Sequence, residues 1–302
     1  MNKRILENPL ISVVLPVYNG SKFLIEAINS ILRQTFIDFE FIIINDGSTD
    51  DSLSIIRSFS DPRIIVIDQP NKGLAPTLNI ATAICRGEYI ARMDSDDISL
   101  ANRFETQLCF LRKNQNVSVL SGAFIYIDEK GKEIARSFPL TSIGVIKKYL
   151  LNNGCVICHP AVMMRKKDFN EVGGYSEAMG NRFTDYHLWV KFIRKGYKIK
   201  NESRIVLKYR LIQEAISSQF TMNDEAFKCL KEVLMCDEPD VQSILHIQEL
   251  CEKETHGLES RVNQLAYNVN KVHQKIKFIG NDFVANQICN LKNIYGFFKA
   301  GR

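Results

Sequence analysis

Apolar residues in the first part of the chain form short continuous runs that alternate with regularly spaced positions. Residues 10–17 (LISVVLPV) are continuously apolar and rich in β-branched side chains, which is typical of a strand buried on both faces of a sheet. A polar turn follows, and residues 21–34 then carry apolar side chains at helical spacing, which predicts an amphipathic helix. The chain therefore begins with a strand and a helix in succession.

This strand-then-helix unit recurs along roughly the first hundred residues. Further strands are predicted at 39–45, 63–68 and 89–91, each followed by a helix. Repeated units of this kind indicate an α/β fold with a Rossmann-like, mostly parallel sheet and helices on both faces. Since right-handed crossovers bring the carboxyl ends of parallel strands to one edge, the polar turns after the strands should line one crevice. These turns are residues 17–20, 45–50, 69–73 and 94–97.

The last of these turns is acidic, because residues 94–97 read DSDD. Three carboxylates in four residues repel one another, so at the end of a strand they favour a cation between them. Hard divalent cations such as Mg²⁺ or Mn²⁺ prefer oxygen ligands and often bind together with a substrate's phosphates. The alternative is a solvated loop in which Asp97 or Ser99 caps a helix that begins near Ser99. The convergence of Asp46 with this cluster on one edge favours the cation.

Strand patterns continue to about residue 211 and then stop. A hairpin is predicted around the turn at 128–131, a helix at 185–195 and a last strand at 205–211. After residue 217 only helical patterns remain. We therefore predict one α/β domain over 1–214 and a helical C-terminal extension over 215–302.

Bulk properties exclude several classes of protein. With 45% hydrophobic and 24% charged residues, the composition is that of a soluble globular protein. No apolar stretch approaches the ~18 residues of a membrane-spanning helix, and no secretory signal is visible, so we expect a cytoplasmic protein. A net charge of +5 is too small to indicate nucleic-acid binding.

Seven segments together carry a family resemblance. They follow, in order, the motifs of family-2 glycosyltransferases with the GT-A fold, and the resemblance covers roughly residues 10–212 but not the tail. The segments are ISVVLPVYNG, IINDGSTDDS, NKGLAPTLNIA, EYIARMDSDD, HPAVMMRK, EVGGYSE and TDYHLWVKFIRKGYKI. The resemblance implies a bacterial enzyme of cell-surface polysaccharide assembly, such as O-antigen, capsule or lipopolysaccharide synthesis.

The resemblance also assigns donor-binding roles to the turns. It implies that the first turn lies under the nucleobase, that Asp46 hydrogen-bonds the base, that Asp94 contacts the ribose and that Asp96 ligates the metal of a DxD motif. A carboxylate suits uracil, whose ring N–H is a donor, so a UDP-sugar is the predicted donor. The predicted donor-binding residues are Pro16, Val17, Tyr18, Asp46, Lys72, Asp94, Ser95 and Asp96. The alternatives are that Asp46 only forms the turn before Gly47, and that Lys72 is only solvated.

The implied reaction is an inverting transfer of a sugar to a glycan or polyprenyl-diphosphate-linked acceptor. A divalent cation, Mn²⁺ or Mg²⁺, would neutralise the departing diphosphate. An acceptor hydroxyl needs a base, which the family supplies from a Glu-Asp pair at the start of a helix. Here the pair reads Thr184-Asp185, so Asp185 is the predicted base, with helix capping by Thr184 or Asp185 as the alternative. Trp189 is predicted to be a core residue and His159 a structural one.

Three departures from the family pattern leave rival functions open. Leu78 stands where the family usually has Arg, Thr184 replaces Glu, and Ile212 replaces a His that completes the metal shell. A catalytically weak relative that acts as a binding or scaffolding module is therefore one alternative. A sugar-nucleotidyltransferase is another, although the turn PVYNGSKF lacks the Gly-rich, basic phosphate loop that it needs. The same turn lacks the GxGxxG of a dinucleotide-dependent oxidoreductase.

The tail mixes aromatic and basic residues near helical spacing between residues 275 and 302. This pattern fits a helix on an anionic membrane surface, which would place the enzyme on the inner face of the plasma membrane near a lipid-linked acceptor. The alternative is a helix that packs on the catalytic domain or on a second subunit of a homo-oligomer.

Overall fold

A computed structural model describes residues 8–152, 154–212 and 224–252. The chain divides into two compact units, one formed by 1–123 and 139–208 and the other by 124–138 and 209–302. The predicted boundary at 214 falls among residues that the structure does not describe, so it stays a prediction. The same is true of the aromatic and basic tail segment.

The strands and helices of the first unit follow the sequence pattern closely. Its first half contains β1 (Ile11–Val17), α1 (Ser21–Leu32), β2 (Phe39–Asp46), α2 (Ser52–Ser58), β3 (Ile64–Gln69), α3 (Leu74–Ala83), β4 (Tyr89–Arg92), β5 (Ile98–Ser99) and α4 (Arg103–Lys113). The described residues after α4 form β6 (Val117–Ile127), β7 (Glu133–Arg136), α5 (Ile143–Asn152), β8 (Met163–Arg165), α6 (Lys166–Glu171), α7 (Thr184–Arg194), β9 (Lys198–Arg210), α8 (Asp224–Leu234) and α9 (Val241–Glu252). Short 3₁₀ turns lie at His159–Ala161 and Glu177–Met179.

The first four strands form the parallel part of the sheet. β1 pairs with β2 on one side and with β4 on the other, and β3 pairs with β2. Every residue of β2 is buried, as is every residue of β1 except Pro16. A sheet covered on both faces explains why both strands are continuously apolar in the sequence.

The later strands are antiparallel, so the sheet as a whole is mixed. β8 runs antiparallel to β4 and β6, and β5 runs antiparallel to β9. The strand order is β3-β2-β1-β4-β8-β6-β9-β5, with β7 on β6. The prediction of a mostly parallel sheet therefore holds for β1 to β4 and not for the strands that follow them.

The described part of the second unit contains the predicted hairpin and two helices. The turn between β6 and β7 is closed by Asp128, whose carboxylate accepts the N–H groups of Lys130 and Lys132 at 2.9 and 2.8 Å. The buried guanidinium of Arg210 donates to the carbonyls of Asp128 and Glu129. α8 and α9 pack on each other. No described helix is long and apolar enough to cross a membrane.

Candidate active site

The carboxyl ends of the parallel strands bring the predicted turns together. Val17 pairs with Asn45 at the ends of β1 and β2, and Asp46 pairs with Gln69 at the ends of β2 and β3. The turn after β1 also touches the acidic turn, since a Cβ atom on Gly20 would lie 2.8 Å from the Ser95 Oγ. The turns thus meet at one edge of the sheet, as the alternating pattern predicted.

The residues of the first turn differ in exposure. Pro16 is half-buried, Val17 is buried, and Tyr18 exposes 55% of its surface. An exposed aromatic ring directly after a buried strand is available to a ligand. Asn19 fixes this turn against the second one, because its N–H donates to Ser48 Oγ at 3.0 Å and its Oδ1 accepts the Thr49 N–H at 2.8 Å.

Asp46 organises the loop that leads into α3. Its Oδ1 accepts the Gln69 side-chain amide at 2.8 Å and the Lys72 backbone N–H at 2.9 Å. Its Oδ2 accepts the Gly73 N–H at 3.0 Å. A carboxylate offers about four acceptor positions, so these three bonds leave room for roughly one more donor. Asp46 therefore forms the turn and can still accept a hydrogen bond from a nucleobase N–H. The Lys72 side chain is exposed.

Gly47 gives a test of how tightly this loop is built. Its φ is +69°, and an added Cβ would lie 2.5 Å from the Asn71 backbone nitrogen. We expect Gly47→Ala to lower the free energy of unfolding by about 1–3 kcal/mol, because it adds backbone strain and displaces residue 71. Chemical denaturation would measure the loss. The matched control is Gly131→Ala, which has a φ of +81° but meets no atom within 4 Å, so it should show the strain without the clash. An equal loss in both variants would contradict the close approach at Gly47.

The acidic turn forms a cluster that suits a divalent cation. One carboxylate oxygen from each of Asp94, Asp96 and Asp97 lies within 4.8 Å of the other two. Asp97 is 1% exposed, whereas Asp94 and Asp96 are half-buried. Burying like charges this close together is costly unless a cation neutralises them, and oxygen donors are those that Mg²⁺ and Mn²⁺ prefer. The residues present therefore fit the predicted metal.

The alternative interpretation of this turn is wrong. No helix begins near Ser99, because Ile98–Ser99 forms β5 and pairs with Leu207 and Lys208 of β9. The helix α4 begins only at Arg103, after Asn102. Asp97 therefore belongs to the acidic cluster and not to a helix cap. Asp97 was not among the predicted site residues, although its position in the DSDD turn made it a candidate ligand.

A buried arginine lies beneath the cluster. Arg92, the last residue of β4, is 3% exposed and forms an ion pair with Asp94. Burial lowers the pKa of Arg92, but the charge and hydrogen bond of Asp94, together with Tyr175 and Asp97, raise it overall, so the guanidinium stays charged. Arg92 offsets part of the negative charge and fixes one carboxylate, and the buried guanidinium of Arg103 adds positive charge near Asp97. An excess of negative charge remains in the cluster.

Asp185 lies in the first turn of α7. The helix begins at Thr184 after Phe183, whose φ is +55°, and the Thr184 hydroxyl donates to the Gly180 carbonyl at 2.9 Å. Thr184 is therefore not the N-cap of α7. Part of Asp185 touches solvent, yet burial by surrounding protein raises its pKa above the ordinary value, as expected at the floor of a crevice. The charge on Arg92 opposes this shift and that on Asp94 adds to it, which places Asp185 in the electric field of the acidic turn.

The loop that contains Cys155 and Cys158 lies near both Asp185 and the acidic cluster. The Cys155 thiol lies 3.9 Å from Asp185 Oδ2. Burial raises the pKa of Cys158, and the carboxylates of Asp97 and Asp94 add to the shift. This loop therefore lies beside both Asp185 and the acidic cluster, a placement that sequence spacing did not reveal.

The raised pKa of Asp185 predicts an acid limb in the pH dependence of the reaction. A base must be ionised to accept a proton, so kcat/KM should fall as pH falls through a pKa above the ordinary aspartate value of 3.8. A pH–rate profile at saturating Mn²⁺ would measure it. An acid limb at or below 3.8 would contradict the described environment of Asp185.

His159 and Trp189 are buried and pack against each other. His159 is buried, and its Nε2 lies 2.8 Å from the Tyr175 hydroxyl. Burial lowers the pKa of His159 well below its ordinary value, so the ring is neutral. Trp189 is fully buried and meets the His159 ring edge to face at 5.8 Å. The predicted core position of Trp189 is confirmed.

Two of the family departures have clear structural consequences. Leu78 is fully buried in α3. The positive charge that the family's Arg would supply is therefore missing at this position. Ile212 belongs to the second unit, and its aliphatic side chain cannot ligate a metal.

Comparison with known proteins identifies the family. The model of the family described as glycosyl transferase family 2 matches residues 12–173, which is more than half of the chain. EpsE of Bacillus subtilis, which carries the name of a glycosyltransferase, is 33% identical over 207 residues, covering 67% of this chain and 73% of that protein. Chondroitin synthase of Escherichia coli is 33% identical over 192 residues, covering 62% of this chain and 27% of that protein.

Solved structures share the fold. S. aureus TarS, solved in complex with UDP-GlcNAc, superposes with a TM-score of 0.59 at 16% identity, covering 97% of this chain and 91% of that one. The mannosyltransferase PcManGT of Pyrobaculum calidifontis, solved with GDP-Man and Mn²⁺, gives a TM-score of 0.56 at 16% identity, covering 96% and 88%. The predicted GT-A fold is therefore confirmed. Together with the family match, it shows that this protein belongs to glycosyltransferase family 2.

Proposed function

We propose that the protein transfers a sugar, with inversion, from a UDP-sugar to a glycan or lipid-linked acceptor in polysaccharide assembly. The observation that carries this proposal is the acidic cluster of Asp94, Asp96 and Asp97 at the edge of the parallel sheet, with Asp185 in its electric field. One group holds a cation and the other accepts a proton, which are the two requirements of the reaction. The match to chondroitin synthase, an enzyme named for a polysaccharide, supports the acceptor class.

The proposed donor-binding residues lie in the turns after β1, β2 and β4. Tyr18 is exposed for contact with the nucleobase, and Asp46 retains acceptor capacity toward a ring N–H. Asp94, held by Arg92, is the group for the ribose, and Asp96 and Asp97 join it around the cation. TarS was solved with UDP-GlcNAc and PcManGT with GDP-Man and Mn²⁺, so a nucleotide-sugar with a divalent cation suits this fold.

Asp185 supplies the base of the proposed mechanism. A divalent cation at the acidic cluster would neutralise the charge that develops on the departing diphosphate. Asp185 accepts the proton of the acceptor hydroxyl while the hydroxyl oxygen bonds to the anomeric carbon of the sugar. Its raised pKa makes it a stronger base than an exposed aspartate. Attack from the face opposite the diphosphate inverts the anomeric centre.

The turn after β1 argues against the sugar-nucleotidyltransferase. Such an enzyme needs free backbone N–H groups there to hold phosphates. Here the N–H groups of Asn19, Gly20 and Ser21 donate to Ser48 Oγ, Ser52 Oγ and Asp50 Oδ2, each at 3.0 Å. Burial raises the pKa of Asp50, but hydrogen bonds from Ser52 and Ser21 outweigh it and hold the pKa at about 2, so the carboxylate is ionised. An occupied, negatively charged turn does not attract a phosphate.

A donor panel tests the proposed function. Nucleotide release would be measured with a series of UDP-sugars and GDP-sugars, in Mn²⁺ and in EDTA. We expect release from at least one UDP-sugar, dependent on Mn²⁺. Nucleotide binding without release from any donor, with every acceptor tried, would favour the binding-module alternative that Ile212 suggests. Preference for GDP-sugars would overturn the uracil assignment but not the sugar transfer.

A further inference from the structure

The donor-side helix α3 and the segment that precedes Asp185 are hydrogen-bonded directly to each other. Residues 173–183 connect α6 to α7 and include the 3₁₀ turn Glu177–Met179. Gly73 and Leu74, at the start of α3, lie about a hundred residues earlier in the chain. The contacts between the two involve the side chains of Asn79 and Asn181, which the proposed mechanism does not use.

Asn79 fixes the beginning of this segment. Its Oδ1 accepts the Tyr175 backbone N–H at 3.0 Å, and its Nδ2 donates to the Tyr175 carbonyl at 2.9 Å. The approach is close, since a Cβ on Gly174 would lie 3.0 Å from Asn79 Oδ1. From the other side, the Lys191 ammonium of α7 donates to the Gly173 and Gly174 carbonyls. The glycine turn is thus held between α3 and the helix that begins next to Asp185.

Asn181 fixes the end of the segment, four residues before Asp185. Its Oδ1 accepts the Leu74 N–H at 2.6 Å, and a Cβ on Gly73 would lie 2.9 Å from the same oxygen. Three successive N–H groups at the start of α3 therefore have side-chain acceptors. Asp46 takes the first two, from Lys72 and Gly73, and Asn181 takes the third.

This sharing of one helix terminus has a mechanical consequence. A nucleotide that engages Asp46 fixes the loop that Asp46 organises, and with it the position of the Leu74 N–H. Only three residues separate Asn181 from Asp185, and one of them, Phe183, has a left-handed backbone conformation. A fixed Asn181 therefore restricts where the base can lie. Removing the Asn181 amide removes this restriction at the end of the segment that lies next to the base.

We propose that Asn79 and Asn181 are positioning residues that align the base Asp185 with the bound nucleotide through α3. The inference rests on the proposed function, because it requires a nucleotide at Asp46. Asn181 transmits the alignment and Asn79 supplies the fixed end of the segment. Binding energetics are reciprocal, so the contact that orders the segment also strengthens nucleotide binding.

Hydrogen–deuterium exchange with UDP and Mn²⁺ tests the proposal on the full chain. In the wild type, UDP should slow exchange both at residues 44–48 and at residues 174–185. In Asn181→Ala, UDP should still slow exchange at 44–48 but no longer at 177–185. The matched variant Asn181→Asp keeps an acceptor oxygen and should restore the wild-type response, and the exposed Asn170→Ala on α6 should leave it unchanged.

Kinetics give a second readout. In Asn181→Ala we expect kcat for transfer to fall about tenfold and UDP affinity to fall no more than about threefold, near the low end of what one neutral hydrogen bond contributes. Undiminished protection of 177–185 in Asn181→Ala would overturn the inference. Protection of 44–48 alone in the wild type would overturn it as well, while leaving the proposed donor site intact. No protection of 44–48 in the wild type would overturn the donor site itself, and the inference with it.

Discussion

Replacing Asp185 with asparagine should lower kcat for sugar transfer by about 10²- to 10⁴-fold, the usual contribution of a positioned general base. Asparagine is isosteric and keeps the hydrogen bonds to the backbone at the start of α7, so the loss isolates the proton acceptor. The affinity for UDP should stay within about twofold, because the proposed mechanism assigns Asp185 to the acceptor hydroxyl and not to the nucleotide. Isothermal titration of UDP alongside a transfer assay would separate the two.

The same variant has an expected effect on stability that excludes misfolding as the cause. Since the pKa of Asp185 is raised in the folded state, the folded protein binds more protons than the unfolded chain, and stability falls as pH rises through that pKa. An asparagine side chain cannot titrate, so Asp185→Asn should melt at an equal or higher temperature than the wild type at neutral pH. Glu105→Gln, which removes an acidic charge from the first turn of α4, should leave transfer unchanged. Full transfer by Asp185→Asn would remove the base assignment.

The second large effect is expected at the acidic cluster. Asp96→Ala removes one carboxylate from the group formed with Asp94 and Asp97. A bound cation contributes several kcal/mol to the departure of a diphosphate, so transfer should fall by about 10²- to 10³-fold. Nucleotide affinity measured in Mn²⁺ should fall to the value that the wild type shows in EDTA.

The comparison with EDTA makes this prediction specific to the cation. In EDTA, wild type and Asp96→Ala should bind UDP equally, because neither holds a metal. Asp51→Ala is the control, since Asp51 is an exposed acidic residue of a neighbouring turn at the same edge. Mn²⁺-dependent UDP binding that survives in Asp96→Ala would show that the cation lies elsewhere.

The sequence alone predicted most of the parallel sheet. The continuous apolar runs of β1 and β2 and the helical periods between them are local properties, and the handedness of crossovers then places the strand ends on one edge. The positions of Asp46 and Asp94 at this edge follow from the same argument. The pairing of the later strands did not follow from it, because β4 meets β8 more than seventy residues away.

The tertiary structure decided how the site is assembled. Ile98–Ser99 became a strand and not the start of a helix because it found hydrogen-bond partners on β9, about a hundred residues later. This pairing brought Asp97 into the acidic cluster. Likewise the bond from Leu74 to Asn181 joins residues 107 positions apart. Periodicity and turn chemistry describe neighbours in the chain, so they placed the strand-end carboxylates at the edge of the sheet. Contacts between distant residues depend on how the elements pack, so only the folded structure showed what Arg92, Asn79 and Asn181 touch.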